Sequence, residues 1–190
     1  MSIEGKVALV TGATRGIGKA IAENLAAQGA VVVGTATSEK GAAAISSYLL
    51  AAENPGCGLV LDVANSESID VVLKEITTRF GAVEILVNNA GITRDNIMMR
   101  MKDDEWDSVI NTNLSANFRL AKSCLRGMTK ARWGRIISIS SVVASMGNAG
   151  QANYAAAKAG LEGFSRASHA KSQRAISRLI VLRRVLSILI

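Results

Sequence analysis

Residues 7–18 read Val7-Ala8-Leu9-Val10-Thr11-Gly12-Ala13-Thr14-Arg15-Gly16-Ile17-Gly18, a short apolar run that passes into a glycine-rich turn and then a helical pattern. Glycines at such a junction let the chain turn tightly, let a pyrophosphate approach the backbone, and let the helix pack close to the strand. The spacing is GxxxGxG rather than GxGxxG. Alone it is also compatible with a mere tight turn, so its weight depends on what surrounds it.

Outward from this turn the pattern repeats. Val7–Thr11, Ala30–Thr35, Gly58–Val63, Glu84–Asn88 and Arg135–Ser141 read as strands. Between them lie helical periodicities at about Gly16–Gln28, Glu39–Ala52, Ser66–Phe80 and Asp103–Lys130, with a further helix near Ala152. Strands that alternate with helices predict a parallel sheet covered on both faces, a doubly wound, Rossmann-like α/β fold in three αβα layers. In such sheets ligands bind at the carboxyl ends of the strands, which is where Gly12–Gly18 falls.

Composition agrees with a packed domain: 49% of the 190 residues are apolar and 19% charged. The net charge of +7 suggests nucleic acid or membrane only until it is located. Residues 166–190 hold Arg166, Lys171, Arg174, Arg178, Arg183 and Arg184 and no acid; without them sixteen cations face fifteen acids. The body is nearly neutral, which argues against both partners. Cys57 and Cys124 are far apart and outside any CxxC pattern, so neither a disulfide framework nor a metal site is expected. No signal peptide is legible at the start, and a reducing cytoplasm fits best.

At the end of the second strand, Thr37 and Ser38 stand where an acid would select a ribose 2′-hydroxyl. With Arg15 opposite, the site favours the 2′-phosphate of NADPH. The alternative is Arg15 as a solvated cation with Glu39 touching the ribose of NAD. Asp62 and Val63, ending the third strand, are placed to flank the adenine. Further along, Tyr154 and Lys158 are four apart on one helical face. An ammonium there favours the phenolate and brings a phenol toward acid–base work. Ser141 at a strand end could donate to a substrate carbonyl oxygen. Asn88-Asn89-Ala90-Gly91 ends the fourth strand, and Asn113 is a poor helix former inside a long helix, or else an Asn bonded to its local backbone.

The ordered set TGATRGIG at 11–18, NNAG at 88–91, Asn113, Ser141 and YAAAK at 154–158 resembles the short-chain dehydrogenase/reductases. NNAGITRDN, MRMKDDEW and MGNAGQANYAAAKAGLEGFSRA resemble, within that family, the bacterial 3-oxoacyl-[acyl-carrier-protein] reductases. The resemblance covers roughly residues 1–167, expected to form the NADP-binding catalytic domain. It implies Tyr154 as proton donor, Ser141 as carbonyl orienter, and Lys158 as tuner of Tyr154 and binder of the nicotinamide ribose. It implies Asn113 as anchor of a relay water, and Gly12, Thr14, Arg15, Gly16, Ile17, Gly18, Thr37, Asp62, Val63, Asn89, Ala90 and Gly91 around NADP(H). Arg132 matches a residue that docks the acidic acyl carrier protein, and a homotetramer is the implied assembly. The same machinery serves other carbonyl substrates equally well.

Residues 168–190 match nothing in the family and read as an aberrant basic tail. Permitted codons for that segment, started two bases later, give SREVAARNITVNCVAPGFIDTD, a family-like string. The expectation is a change of frame upstream of about residue 168, with the last strands of the family fold and its lid missing, an exposed sheet edge, and weak or absent activity; sequencing the encoding DNA checks it. A non-catalytic, nucleotide-binding or oligomer-interacting remnant is the rival reading. Ile176–Ile190 as a membrane-binding amphipathic helix, His169 as a catalytic group, and Met98, Met99 and Met101 as an acyl cleft are each less favoured than an inert or packed role.

Overall fold

A computed structural model describes residues 2–172 and 178–184, with side chains described through residue 168. Six strands form one sheet: β1 (Val7–Val10), β2 (Val31–Ala36), β3 (Cys57–Val60), β4 (Ile85–Asn88), β5 (Arg135–Ser141) and β6 (Arg178–Arg184). Their order is β3-β2-β1-β4-β5-β6, and every neighbouring pair is parallel. The winding reverses between β1 and β4, which opens a crevice at the carboxyl ends of those two strands.

Strands buried on both faces need continuous apolar runs, and Val7–Val10 and Ile85–Asn88 are buried throughout. One core layer joins Ala8, Val10, Val32, Ile45, Leu49 and Val87 beneath α1 (Gly16–Ala27) and α2 (Glu39–Leu49). The other joins Leu9, Val33, Ile69, Ile76, Leu86 and Leu120 beneath α3 (Ser66–Arg79) and α5 (Ala116–Ala131). Helix starts follow from capping chemistry: Ser38 accepts from the Gly41 N–H at 3.2 Å, and Asn65 from the Glu67 and Ser68 N–H groups.

Three features depart from the sequence reading. The helix expected as continuous over Asp103–Lys130 is α4 (Asp103–Ile110) and α5, separated by a wider π turn at Asn111–Ser115. There the Ala116 N–H donates to the Asn111 carbonyl, five residues back. Met98 and Met99, expected to pack beneath the next helix, lie in an exposed 3-10 turn. Finally, β5 is not the sheet edge. Arg178–Arg184 pairs along it from Arg135↔Arg178 to Ser141↔Arg184, so part of the basic tail forms a strand. The rest of the Ile176–Ile190 reading and the His169 side chain lie outside the described residues. A short helix α6 (Val143–Met146) and the long α7 (Ala152–Ser172) complete the chain's regular elements among the described residues. None of the described helices is long and apolar enough to cross a membrane.

Candidate active site

The reversal of winding places an open cleft of about 690 Å³ at the carboxyl ends of β4 and β5, bounded by α1 and α7. Ile17, Asn89, Gly91, Ser141, Tyr154 and Lys158 all line it. The glycine turn and the Tyr–Lys helix, 136 residues apart from Gly18 to Tyr154, therefore meet in one place.

The glycine turn is built for close approach. Gly12 and Gly16 have φ of +66° and +57°, a region that favours glycine. A Cβ on Gly18 would run into the Gly12 carbonyl oxygen, and one on Gly12 would meet Ala90 Cα at 3.1 Å. Arg15 precedes α1 with its side chain making no cap, so the first N–H groups of that helix are left for another acceptor. Thr14 reaches the start of α2, within 3.5 Å of where a Cβ on Gly41 would sit, so the loop carrying Arg15 adjoins Thr37 and Ser38. Arg15 and Thr37 are exposed there, whereas the Ser38 hydroxyl is already engaged as the α2 cap. Beyond β3, Asp62 accepts from the Ala64 N–H at 2.9 Å and Val63 is buried.

The Asn88–Gly91 segment is pinned by a residue that sequence reasoning passed over. Thr11 is buried, donates its hydroxyl to Val87 O, and accepts from the N–H groups of Asn89 and Ala90, each at 3.0 Å. Asn89 in turn donates to the carbonyls of Thr11 and Gly12, at 2.8 and 3.0 Å. Its amide thus braces the glycine turn from outside. The run of β-region residues before Gly12 gave no sign of this, because the partners are 78 residues away.

Asn113 sits fully buried within the π turn. Its Oδ1 accepts from the Ile92 N–H and its Nδ2 donates to Ile92 O, both at 2.8 Å. The partner is thus the loop after β4, not Asn113's own helix. Gly91 must be glycine for this contact, since a Cβ there would lie 2.9 Å from Asn113 Oδ1.

On α7 the Lys158 ammonium lies 5.6 Å from the centre of the Tyr154 ring and donates to Ile139 O at 2.7 Å. Burial pushes its pKa down from 10.5 to about 8, so near neutrality it is still mostly protonated. Ser141 ends β5, where its hydroxyl accepts from the Val143 N–H at 3.2 Å as α6 begins. On the other face of the strand, Ser140 donates to Glu162 at 2.9 Å, and both are buried. Glu162 stands one turn past Lys158 and two past Tyr154, a spacing that could have marked it in the sequence.

Arg132 is not brought to this cleft. It caps α5 in the left-handed region, with φ of +51°, before β5 begins. The length of β5 then separates it from Ser141, roughly 20 Å at the usual strand rise.

Residues 6–179 match the family described as short chain dehydrogenase. Among curated proteins, the 3-oxoacyl-[acyl-carrier-protein] reductase FabG of Pseudomonas aeruginosa is 65% identical over 167 residues, 88% of this chain and 68% of that protein. The reductase of the same name from Escherichia coli K12 is 66% identical over 166 residues, 87% of this chain and 67% of its own length. That from Vibrio cholerae gives the same identity and the same coverage. This chain thus spans about two thirds of the length of these relatives.

Proposed function

Because this chain belongs to the short chain dehydrogenase family and is an oxidoreductase of that kind, we propose that it reduces 3-oxoacyl-[acyl-carrier-protein] to the 3-hydroxyacyl form with NADPH, in fatty-acid synthesis. The observation that carries the reading is the convergence of the glycine turn with Ser141, Tyr154 and Lys158 on one cleft.

The residues present fit a dinucleotide. The cradle has no room for a side chain at Gly12 and Gly18, Gly16 is held at positive φ, and the uncapped start of α1 suits a pyrophosphate. Thr14, Ile17, Asn89, Ala90 and Gly91 continue that wall, Asp62 and Val63 would border the adenine, and Lys158 would reach the nicotinamide ribose. Arg15 and Thr37 offer a cation and a hydroxyl to a 2′-phosphate, and among the described residues neither is paired with a side-chain acid. When bound, the cofactor supplies a hydride to the substrate carbonyl carbon.

The protein's part is the proton and the geometry. Ser141 donates a hydrogen bond to the carbonyl oxygen, and the Tyr154 hydroxyl delivers its proton to that oxygen as negative charge develops there. The Lys158 ammonium stabilises the phenolate left behind. Its donation to Ile139 O fixes it under the ring, at a strand position two residues before Ser141. Asn113 holds the Ile92 backbone and so shapes the cleft wall; a water bound beside it would return a proton through Lys158. The acyl carrier protein is acidic, so basic surface docks it; Arg132 serves the cleft of another subunit if the chain assembles as a homotetramer, because its own is too far away. A cytoplasmic location follows from the same assignment.

A second reading is favoured by where the similarity stops. The cited relatives align with 166 or 167 of the 190 residues and the family match ends at residue 179, near the start of the strand that pairs with β5. In that reading the chain binds NADP(H) or a full-length copy without turnover.

The experiment is a comparison of NADPH and NADH oxidation with a 3-oxoacyl thioester, using protein of verified mass, beside dinucleotide binding measured by fluorescence. Turnover with NADPH that Tyr154→Phe abolishes supports the reductase. Binding without turnover supports the remnant. Failure to bind either dinucleotide overturns the reductase, and absence of co-assembly with a full-length copy in addition overturns the remnant.

A further inference from the structure

The turn at Gly12–Gly18 is braced in two halves by different groups. Asn89 donates to the carbonyls of Thr11 and Gly12, and Gly18 packs against the Gly12 carbonyl. The end of β1 and the start of α1, which a pyrophosphate would approach, are thus held from the β4 side. The half that leads to Thr14 and Arg15 is tied at Ala13. This residue is fully buried, and a Cβ on Gly34 of β2 would lie 2.9 Å from its methyl. Its N–H donates to Thr35 O at 2.9 Å, and its carbonyl accepts from the Tyr48 hydroxyl at 2.8 Å.

Tyr48 stands near the end of α2, and helical side chains lean toward the N-terminus of their own helix, which carries the phenol back to the turn. Its ring is half-buried, with the Lys19 ammonium 5.2 Å from the centre. Burial, with Glu23 adding to it, pushes the Tyr48 pKa up to about 12, so the hydroxyl keeps its proton and stays a donor through neutral pH. Tyr48 does not line the cleft, so it acts on a ligand there through what it holds. Helix α2 begins directly after Thr37 and Ser38, and Arg15 is two residues past Ala13. The bond from Tyr48 to Ala13 therefore ties the helix behind Thr37 to the loop that carries Arg15. A phosphate that bridges two exposed side chains binds best when their spacing is set beforehand, because ordering them on binding costs entropy.

We propose that Tyr48 is a positioning residue for cofactor choice: by holding the Ala13 carbonyl it keeps Arg15 in register with Thr37, and so favours a dinucleotide with a 2′-phosphate over one without. The inference rests on the NADPH reading. Without the hydroxyl, the Ala13–Thr14 peptide loses its contact with α2 and can rotate, which displaces Arg15 but leaves the braces from Asn89 and Gly18 in place.

The test is fluorescence titration of the full chain and of Tyr48→Phe with NADPH and with NADH, repeated in an Arg15→Ala background. Phenylalanine keeps the shape of the ring, and circular dichroism checks that the variant is folded. A variant that is not folded is restored with trimethylamine N-oxide, which favours burial, and titrated beside the parent in the same buffer. The expected result is a Kd for NADPH raised about fivefold by Tyr48→Phe, the worth of one ordinary hydrogen bond, with that for NADH changed less than about twofold. In the Arg15→Ala background the same substitution should add nothing to the loss for NADPH, since Tyr48 acts through Arg15. Equal losses for both dinucleotides, or no loss for either, make Tyr48 a support of the fold alone and overturn the inference. A fivefold loss that persists without Arg15 overturns it as well. A parent that binds NADH as tightly as NADPH strikes the NADPH reading itself, and this inference falls with it.

Discussion

Replacing Lys158 by methionine should make the protein more stable at pH 7 while ending its turnover. The ammonium is held in a site that lowers its pKa from 10.5 to about 8, and the cause is burial. Folding at neutral pH therefore costs about 3 kcal/mol for that charge, taking about 1.4 kcal/mol per pKa unit. Methionine has similar length and no charge, so the cost disappears, but Ile139 O loses its 2.7 Å donor, worth about 1 kcal/mol. The net expectation is a gain of about 2 kcal/mol below pH 8, or about 4–8 °C in Tm for a chain of this size. The sign then reverses. Between pH 8 and 10.5 the unfolded parent binds the proton more tightly than the folded one, so the parent's stability rises with pH and the burial cost vanishes. Above pH 10.5 only the lost hydrogen bond remains and the variant is the weaker by about 1 kcal/mol. Thermal denaturation of both proteins across pH 7 to 10.5 measures the difference, and titrations common to both cancel in it. A variant less stable than the parent by one constant margin over that range refutes the reasoning.

Asn113→Leu keeps the volume but leaves both backbone groups of Ile92 without partners, and should cost about 2–4 kcal/mol by urea denaturation; a loss within 0.5 kcal/mol, the scale of about a neutral surface change, contradicts it. Gly18→Ala places a methyl against Gly12 O and the Asn89 amide, so dinucleotide affinity should fall at least about tenfold and stability by about 1–3 kcal/mol, read by fluorescence titration and Tm. Ser140→Ala removes the 2.9 Å donor of a buried carboxylate and should cost about 1–3 kcal/mol. Much of that should disappear when Glu162→Leu is added, giving a coupling of about 1 kcal/mol or more in a double-mutant cycle, whereas additive costs would show that the pair does not act together.

Residues whose partners are near in sequence, or whose period shows a face, were legible before the fold. The βα alternation, the turn at Gly12–Gly18 and the four-residue step from Tyr154 to Lys158 are of this kind, and all three meet in the cleft. Asn113 was visible as a misfit, yet the π turn it occupies was not, because one extra residue in a helix leaves the apolar period on each side intact. Thr11 and Glu162 escaped notice because their chemistry depends on partners in another strand. Arg178–Arg184 was read through its charge, although Leu179-Ile180-Val181-Leu182 between the arginines has the composition of a buried parallel strand and pairs as one. Met98 and Met99 went the other way: apolar character suggested packing, and the 3-10 turn holds them outside.

The wide turn at Asn111–Ser115 has a mechanical consequence. Each residue of a helix advances the side-chain direction by about 100°, so shortening this turn by one would rotate α4 against α5 by that angle. Val109, now buried, would swing toward solvent, while Leu120, Cys124 and Met128 kept their place on the sheet. The segment thus sets the phase between α4, which packs against α7, and the core beneath α5, and the chain can lose a residue in its surface loops far more readily than here.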